Sequence, residues 1–128
     1  MLTQARVMAM LPTADVQRAK DWYQEKLGLA PVEETEGANF YQVAEGTRFG
    51  LYPTPNTDRG GHTQLAFVVA DVVAEVAGLR ARGVVFEEYD FPGLKTVDGI
   101  AEMTGLRRRA AWFKDCEGNM IGMVQFGG

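Results

Sequence analysis

Residues able to do chemistry are few in this chain, and they are widely spaced. His62 is the single histidine and Cys116 the single cysteine. A Ser-His-Asp or Cys-His arrangement would have to be built on that one imidazole, and no nucleophile is identified near it. His62 follows Gly60-Gly61 at the start of the run "HTQLAFVV", where a turn-bonded or exposed imidazole is the ordinary outcome. Cys116 lies in the turn-like stretch "KDCEGN" with neither a histidine nor a second cysteine beside it, so nothing activates its thiol. Asp115 and Glu117 in that stretch suit local bonds that hold a turn together. Glu87 and Glu88 are consecutive on a predicted strand and point to opposite faces, so at most one reaches a shared site.

Composition narrows the class. The 128 residues, 46% hydrophobic and 23% charged, suit one globular domain over 1–128 with a core of its own. A formal charge of −4 with one basic cluster, Arg107-Arg108-Arg109, leaves no basic stripe for nucleic acid. No apolar run approaches the roughly 18 residues of a membrane span. "MLTQARVMAM" is too short and too polar for a signal peptide. One cysteine excludes an intrachain disulfide, so a cytoplasmic protein is expected.

The elements that must position these groups come in two similar sets. "ARVMAML" reads as a strand ended by "PTAD", and Asp15 is an N-cap for a helix from Val16 with the stripe Val16, Ala19, Tyr23 and Leu27. Gly28 suits its C-terminal stop. "APVEETE", "NFYQVAE" and "TRFGLYPT" then read as short strands. The order repeats with the strand "HTQLAFVV", a helix capped by Asp71 with Val72, Val76 and Leu79 inward, a stop at Gly83, and the strands "VVFEEYD", "RAAWFKD" and "NMIGMVQF". The offset is 56 from Asp15 to Asp71 and 72 from Gly50 to Gly122. The extra residues fall in "FPGLKTVDGIAEMTGLRRR", 91–109, which is expected to be a long loop, either a lid on a cleft or a surface excursion.

Two βαβββ modules follow, about 1–57 and 58–128. The fold class is α+β, an incomplete, cleft-containing, barrel-like sheet with helices on its outer face. Val7, Ala9 and Leu11, with Leu65, Phe67 and Val69, are assigned to the helix side. Met8 and Met10, with Gln64, Ala66 and Val68, are assigned to the concave side.

The segments "TADVQRAKDWYQEKLGL", "HTQLAFVVADVVAEVAGLRARGVVF" and "AWFKDCEGNMIGMVQ" resemble the vicinal-oxygen-chelate superfamily of glyoxalases, bleomycin-resistance proteins and extradiol dioxygenases. The likeness covers nearly the whole chain. It implies a divalent ion held by one side chain from the first and last strand of each module. The corresponding positions here are Met8, Gly50, Gln64 and Gly122. Two glycines, a soft thioether and one neutral amide are too few donors for such an ion, so no metal and no cofactor are expected.

The glycines would instead give the cleft floor room. Met8, Met10, Gly50, Tyr52, Gln64, Ala66, Gly122 and Val124, with one of Trp112 or Phe113 and Lys95 from the long loop, are the candidate ligand-binding residues; catalytic residues are not identified. A greasy, aromatic cleft suits a flat or apolar small molecule. The leading expectation is a metal-independent small-molecule-binding protein of the superfamily, sequestering an antibiotic-like ligand in the concave cleft. The alternatives are a lyase, isomerase or dioxygenase with a non-standard metal site, and a protein-interaction module using the concave face. A homodimer is expected in each case, because sheet edges and apolar surface need cover.

Overall fold

Asp15 and Asp71 start the two helices in the same way. Each has an extended backbone, and its carboxylate accepts the N–H three residues on, Arg18 N at 3.0 Å and Ala74 N at 3.1 Å. Such a cap stabilises a helix by about 1 kcal/mol. The structure is a computed structural model that describes residues 1–56, 60–103 and 108–127. In it helix α1 spans Val16–Trp22 and α2 spans Val72–Ala81. A π-helical turn, Tyr23–Leu27, prolongs α1. The sequence gives the reason: the stretch from Asp15 to Gly28 is one residue longer than that from Asp71 to Gly83, and a π turn absorbs a single extra residue. Gly28 then leaves the helix at φ 71°, a conformation that costs glycine little.

Two mixed sheets carry the strands. The first has the order β1-β4-β3-β2, from β1 (Ala9–Thr13), β2 (Glu33–Glu34), β3 (Asn39–Gln42) and β4 (Arg48–Pro53). The second has the order β5-β10-β9-β8-β7-β6, from β5 (Thr63–Val68), β6 (Asp90–Phe91), β7 (Leu94–Val97), β8 (Ile100–Met103), β9 (Arg108–Lys114) and β10 (Met120–Phe126). In each sheet the first strand pairs in parallel with the last, β1 with β4 and β5 with β10, as a helical crossover requires. β1 and β5 pack side by side, but they are the ends of separate ladders. The fold is α+β with no closed barrel.

Four details differ from the sequence reading. β1 runs through Pro12 to Thr13 instead of ending there; proline is tolerated because the β5 side of this edge strand needs no ladder N–H. Val7 precedes the strand and is exposed, not inward. The stretch 91–109 holds the strands β7 and β8 and the start of β9, not a long loop. Gly93 (φ 91°) and the pair Asp98-Gly99 (φ 52° and 78°) supply the left-handed turns of this meander. Conversely, "VVFEEYD" yields only a bridge from Phe86 to Phe113 and the start of the two-residue β6. Arg107 and the module boundary at 57/58 lie outside the described residues.

One hydrophobic cluster joins both sheets and both helices. Leu11, Phe49 and Leu51 from the first sheet meet Phe113, Ile121 and Met123 from the second, with Ala19, Tyr23, Val72 and Val76 from the helices. Burying a Leu, Ile or Phe side chain fully stabilises by about 1.5–3 kcal/mol. Ring contacts cross the module boundary: Phe49 meets Phe67 edge-on at 5.9 Å, and Trp22 stacks on Phe113 at 6.4 Å.

Candidate functional site

The sheet face turned away from the helices is set by register. In the first sheet Met10, Gly50, Phe40 and Glu33 form a row of directly paired residues. In the second, Gly122 lies between Ala66 and Trp112, and Val124 between Val68 and Ala110. Tyr52, paired with Pro12, shares the face with Gly50 by strand parity. Of the two aromatic candidates, Trp112 faces this side and Phe113 is fully buried in the core. Met8 lies just before β1. With Phe40, Arg6, Glu33 and Arg48 it borders a cavity of about 600 Å³, a size that suits a small ligand.

The two glycines do not leave the room expected of them. A Cβ added at Gly50 would fall 2.7 Å from Met10 Sδ and 3.3 Å from Phe40 Cδ1. A Cβ at Gly122 would fall 3.3 Å from Trp112 Cδ1 and Nε1, and 3.4 Å from Thr63 Cγ2. Each glycine is therefore a seat: the Met10 thioether lies over one and the Trp112 indole over the other. Tyr89 meets Trp112 edge-on at 5.6 Å, and its hydroxyl donates to Met120 Sδ at 3.8 Å. The surface so formed is aromatic and thioether-rich, with ion pairs at Arg48–Glu33 (3.6 Å) and Lys114–Glu87 (3.4 Å).

Gln64 is turned away from this face by an irregularity of pairing. Met120 pairs with Thr63 but Ile121 with Leu65, so Gln64 is an extra residue, a bulge. The bulge puts Thr63, not Gln64, beside Gly122. The Gln64 amide is used elsewhere: its Nε2 donates to Asn119 Oδ1 at 3.1 Å and its Oε1 accepts from Met120 N at 3.2 Å.

Those bonds belong to a polar hub under the Asp115–Asn119 turn. Asp115 accepts from the Tyr23 hydroxyl (2.7 Å), Asn119 Nδ2 (2.9 Å) and the N–H groups of Glu117 (2.8 Å) and Asn119 (2.9 Å). Asn119 Nδ2 also donates to Pro12 O at 2.9 Å. Burial, then the Asp115 charge, pushes the Tyr23 phenol well above its ordinary pKa, so it stays a donor. Glu117 accepts from Thr13 at 2.8 Å and from the Arg18 guanidinium. Burial pulls its carboxyl up, but these bonds outweigh it and hold the pKa below the usual value. Burial, then Asp115, raises the Cys116 thiol to about 11, so the thiol stays protonated and unreactive.

Lys95 does not join the face. Thr96, Ala101, Ala110 and Val124 are paired in a row across β7, β8, β9 and β10, so the neighbouring Lys95 points to the opposite side. His62 is exposed at the mouth of β5. The metal expected of the resemblance does not fit here: Met8, Gly50, Gly122 and Thr63 or Gln64 offer a thioether and one neutral oxygen. Among the described residues no group of three His, Cys, Asp or Glu gathers that could hold an ion. Sequence reasoning missed Phe40, Tyr89 and Thr63. Phe40 was within reach, since the offset of 72 places it against Trp112; the bulge that exposes Thr63 leaves no local signal.

Solved structures share this architecture. A superfamily member from Sphaerobacter thermophilus superposes with a TM-score of 0.71 at 23% identity, covering 97% of this chain and 99% of its own. A glyoxalase/bleomycin resistance protein from Catenulispora acidiphila gives 0.70 at 21%, covering 97% and 100%. A bleomycin resistance determinant encoded on the transposon Tn5 gives 0.70 at 16%, covering 98% and 100%. At these identities the likeness speaks for the fold alone. Comparison with curated proteins gives no significant sequence match. A family model does match, over residues 5–123, and it establishes that the chain belongs to the Glyoxalase/Bleomycin resistance protein/Dioxygenase superfamily.

Proposed function

We propose that this chain is a metal-independent small-molecule-binding protein of its superfamily, holding a flat, apolar ligand against the outer sheet face without a cofactor. One observation carries the reading: both last-strand positions are glycines whose space is taken by Met10 and Trp112, so an aromatic and thioether floor stands where donors would be needed. Such a floor gains from stacking and dispersion with a planar ligand. The net charge of −4 favours a cationic one.

The test is titration with proflavine, a planar cation, followed by Trp112 emission in a Trp22→Phe background. Saturable quenching at one probe per chain is expected, with affinity falling at least about tenfold in Trp112→Ala. Elemental analysis of untreated protein accompanies it. One tightly held divalent ion per chain would overturn the proposal, as would a Trp112→Ala variant that binds unchanged. The protein is further proposed to act in the cytoplasm as a homodimer. Val68 and Phe126, exposed at 70% and 59% on neighbouring strands of this face, supply apolar surface for a second copy. Light scattering at the monomer mass would refute the dimer.

A further inference from the structure

The two modules are built to one plan, and comparing them position by position isolates a second cavity, walled in part by the helices. The turn at Asp115–Asn119 has a sister at Val43–Thr47, offset by 72. Asp115 N bonds Asn119 O at 3.0 Å, and Val43 N bonds Thr47 O at 2.8 Å. Around the first turn everything is closed by the polar hub. Around its sister Glu117 keeps a counterpart in Glu45, but the residues that bond in the hub around it are replaced by smaller or apolar ones: Val43 for Asp115, Thr47 for Asn119, and, at the helix offset of 56, Leu79 for Tyr23, Ala74 for Arg18 and Val69 for Thr13. Among the described residues no polar lock forms there. What remains is an open cavity of about 710 Å³, walled by Leu27, Val43, Phe67, Leu79 and Met123. Val43, Phe67 and Leu79 are only half-buried.

We infer that this cavity binds a lipophilic amine, with its apolar body between Phe67 and Leu79 and its cationic head at the rim. The charge argument is specific. Glu45 and Glu75 both border the cavity, while no Arg, Lys or His among the described residues does. Neither carboxylate has an ion-pair partner among the described residues. Glu45 is held at φ 58°, whereas its counterpart Glu117 does not take positive φ. The turn from β3 to β4 imposes that conformation, with Gly46 also left-handed at φ 74° and Thr47 N bonding Ala44 O at 3.1 Å, and so fixes Glu45 at the cavity rim. The inference goes beyond the proposed outer-face function and is tested apart from it: Glu45 and Thr47 border both cavities, and Ala66 and Val68 of the outer face reach this one, but Met10 and Trp112 line neither.

Calorimetric titration of the full chain with n-octylamine, n-octanoate and 1-octanol tests it. Octylamine, cationic at neutral pH, should saturate one site per chain and bind at least about tenfold more tightly than octanoate. Leu79→Trp, which fills the cavity from its half-buried wall, should weaken octylamine at least about tenfold. The surface pair Glu45→Gln/Glu75→Gln should bring octylamine down to the level of octanol, a loss of roughly fivefold, without depending on how Leu79→Trp folds. Trp112 emission should not respond to octylamine, which separates this site from the proflavine experiment. No saturable octylamine binding, or binding indifferent to Leu79→Trp, overturns the inference. So does a cavity closed by a second copy, seen as a change of mass in Leu79→Trp with no octylamine binding.

Discussion

A single carboxylate, Asp115, takes four hydrogen bonds from three residues, Tyr23 and the turn's own Glu117 and Asn119, and two neighbours show what such bonds are worth. Replacing Tyr23 by Phe deletes only a hydroxyl, yet it leaves a buried charged acceptor short of one donor. The expected cost is about 1–2 kcal/mol, read as a lower urea midpoint with an unchanged slope. Glu117 carries the pH dependence. Its folded pKa is depressed by the Thr13 and Arg18 bonds, against the upward pull of burial. Its contribution to stability is therefore complete above the ordinary carboxylate range, near about 4.3. That contribution is lost as pH falls through the folded value, because the unfolded chain takes up the proton first. Glu117→Gln should flatten the acid limb of a stability profile below about pH 5, while leaving its alkaline side in shape. An acid limb identical to that of the parent would show that these bonds do not set the carboxyl's titration.

The strands test how firmly the outer face is built. Adding a methyl at Gly122 presses on Trp112, which Tyr89 holds edge-on, so Gly122→Ala should destabilise by about 1 kcal/mol and shift Trp112 emission. Adding one at Gly50 presses on the flexible end of Met10, which is 40% exposed and free to swing outward. Gly50→Ala should stay within about 0.5 kcal/mol of the parent. Equal costs would mean that the indole is no better anchored than the thioether. The same contrast explains what was legible beforehand. Asp15, Asp71, Gly28 and Gly83 act on their own neighbours, so caps and stops are visible in a one-dimensional string. The side chains seated on Gly50 and Gly122 depend on which strands pair, and pairing is non-local. The bulge at Gln64 reverses one face assignment for the same reason. The strands β7 and β8 went unseen because "FPGLKTVDGIAEM" marks its turns clearly but alternates poorly.

Across the whole molecule the two modules share a plan without sharing a ladder. Their sheets touch at β1 and β5 with no joining hydrogen-bond ladder, so their relative placement rests on the common core and on side-chain bonds that cross between them. Asn119, fully buried, makes one such bond, to Pro12 O, and accepts another within its own module from Gln64 Nε2. Its sister Thr47 is exposed and, among the described residues, its side chain bonds only within its own turn, to Ala44 O at 2.7 Å. Sequence symmetry alone would give the two positions equal weight. Asn119→Ala should cost about 2–3 kcal/mol, since it strands buried partners in both modules, and Thr47→Ala should change stability by no more than about 0.5 kcal/mol. Hydrogen exchange adds the directional check. In Asn119→Ala, faster exchange should spread to the start of α1 and the first residues of β10, which the hub spans, and leave the Val43–Thr47 turn at its parental rate. Loss confined to the Asp115–Asn119 turn would mean that the shared core alone holds the modules together.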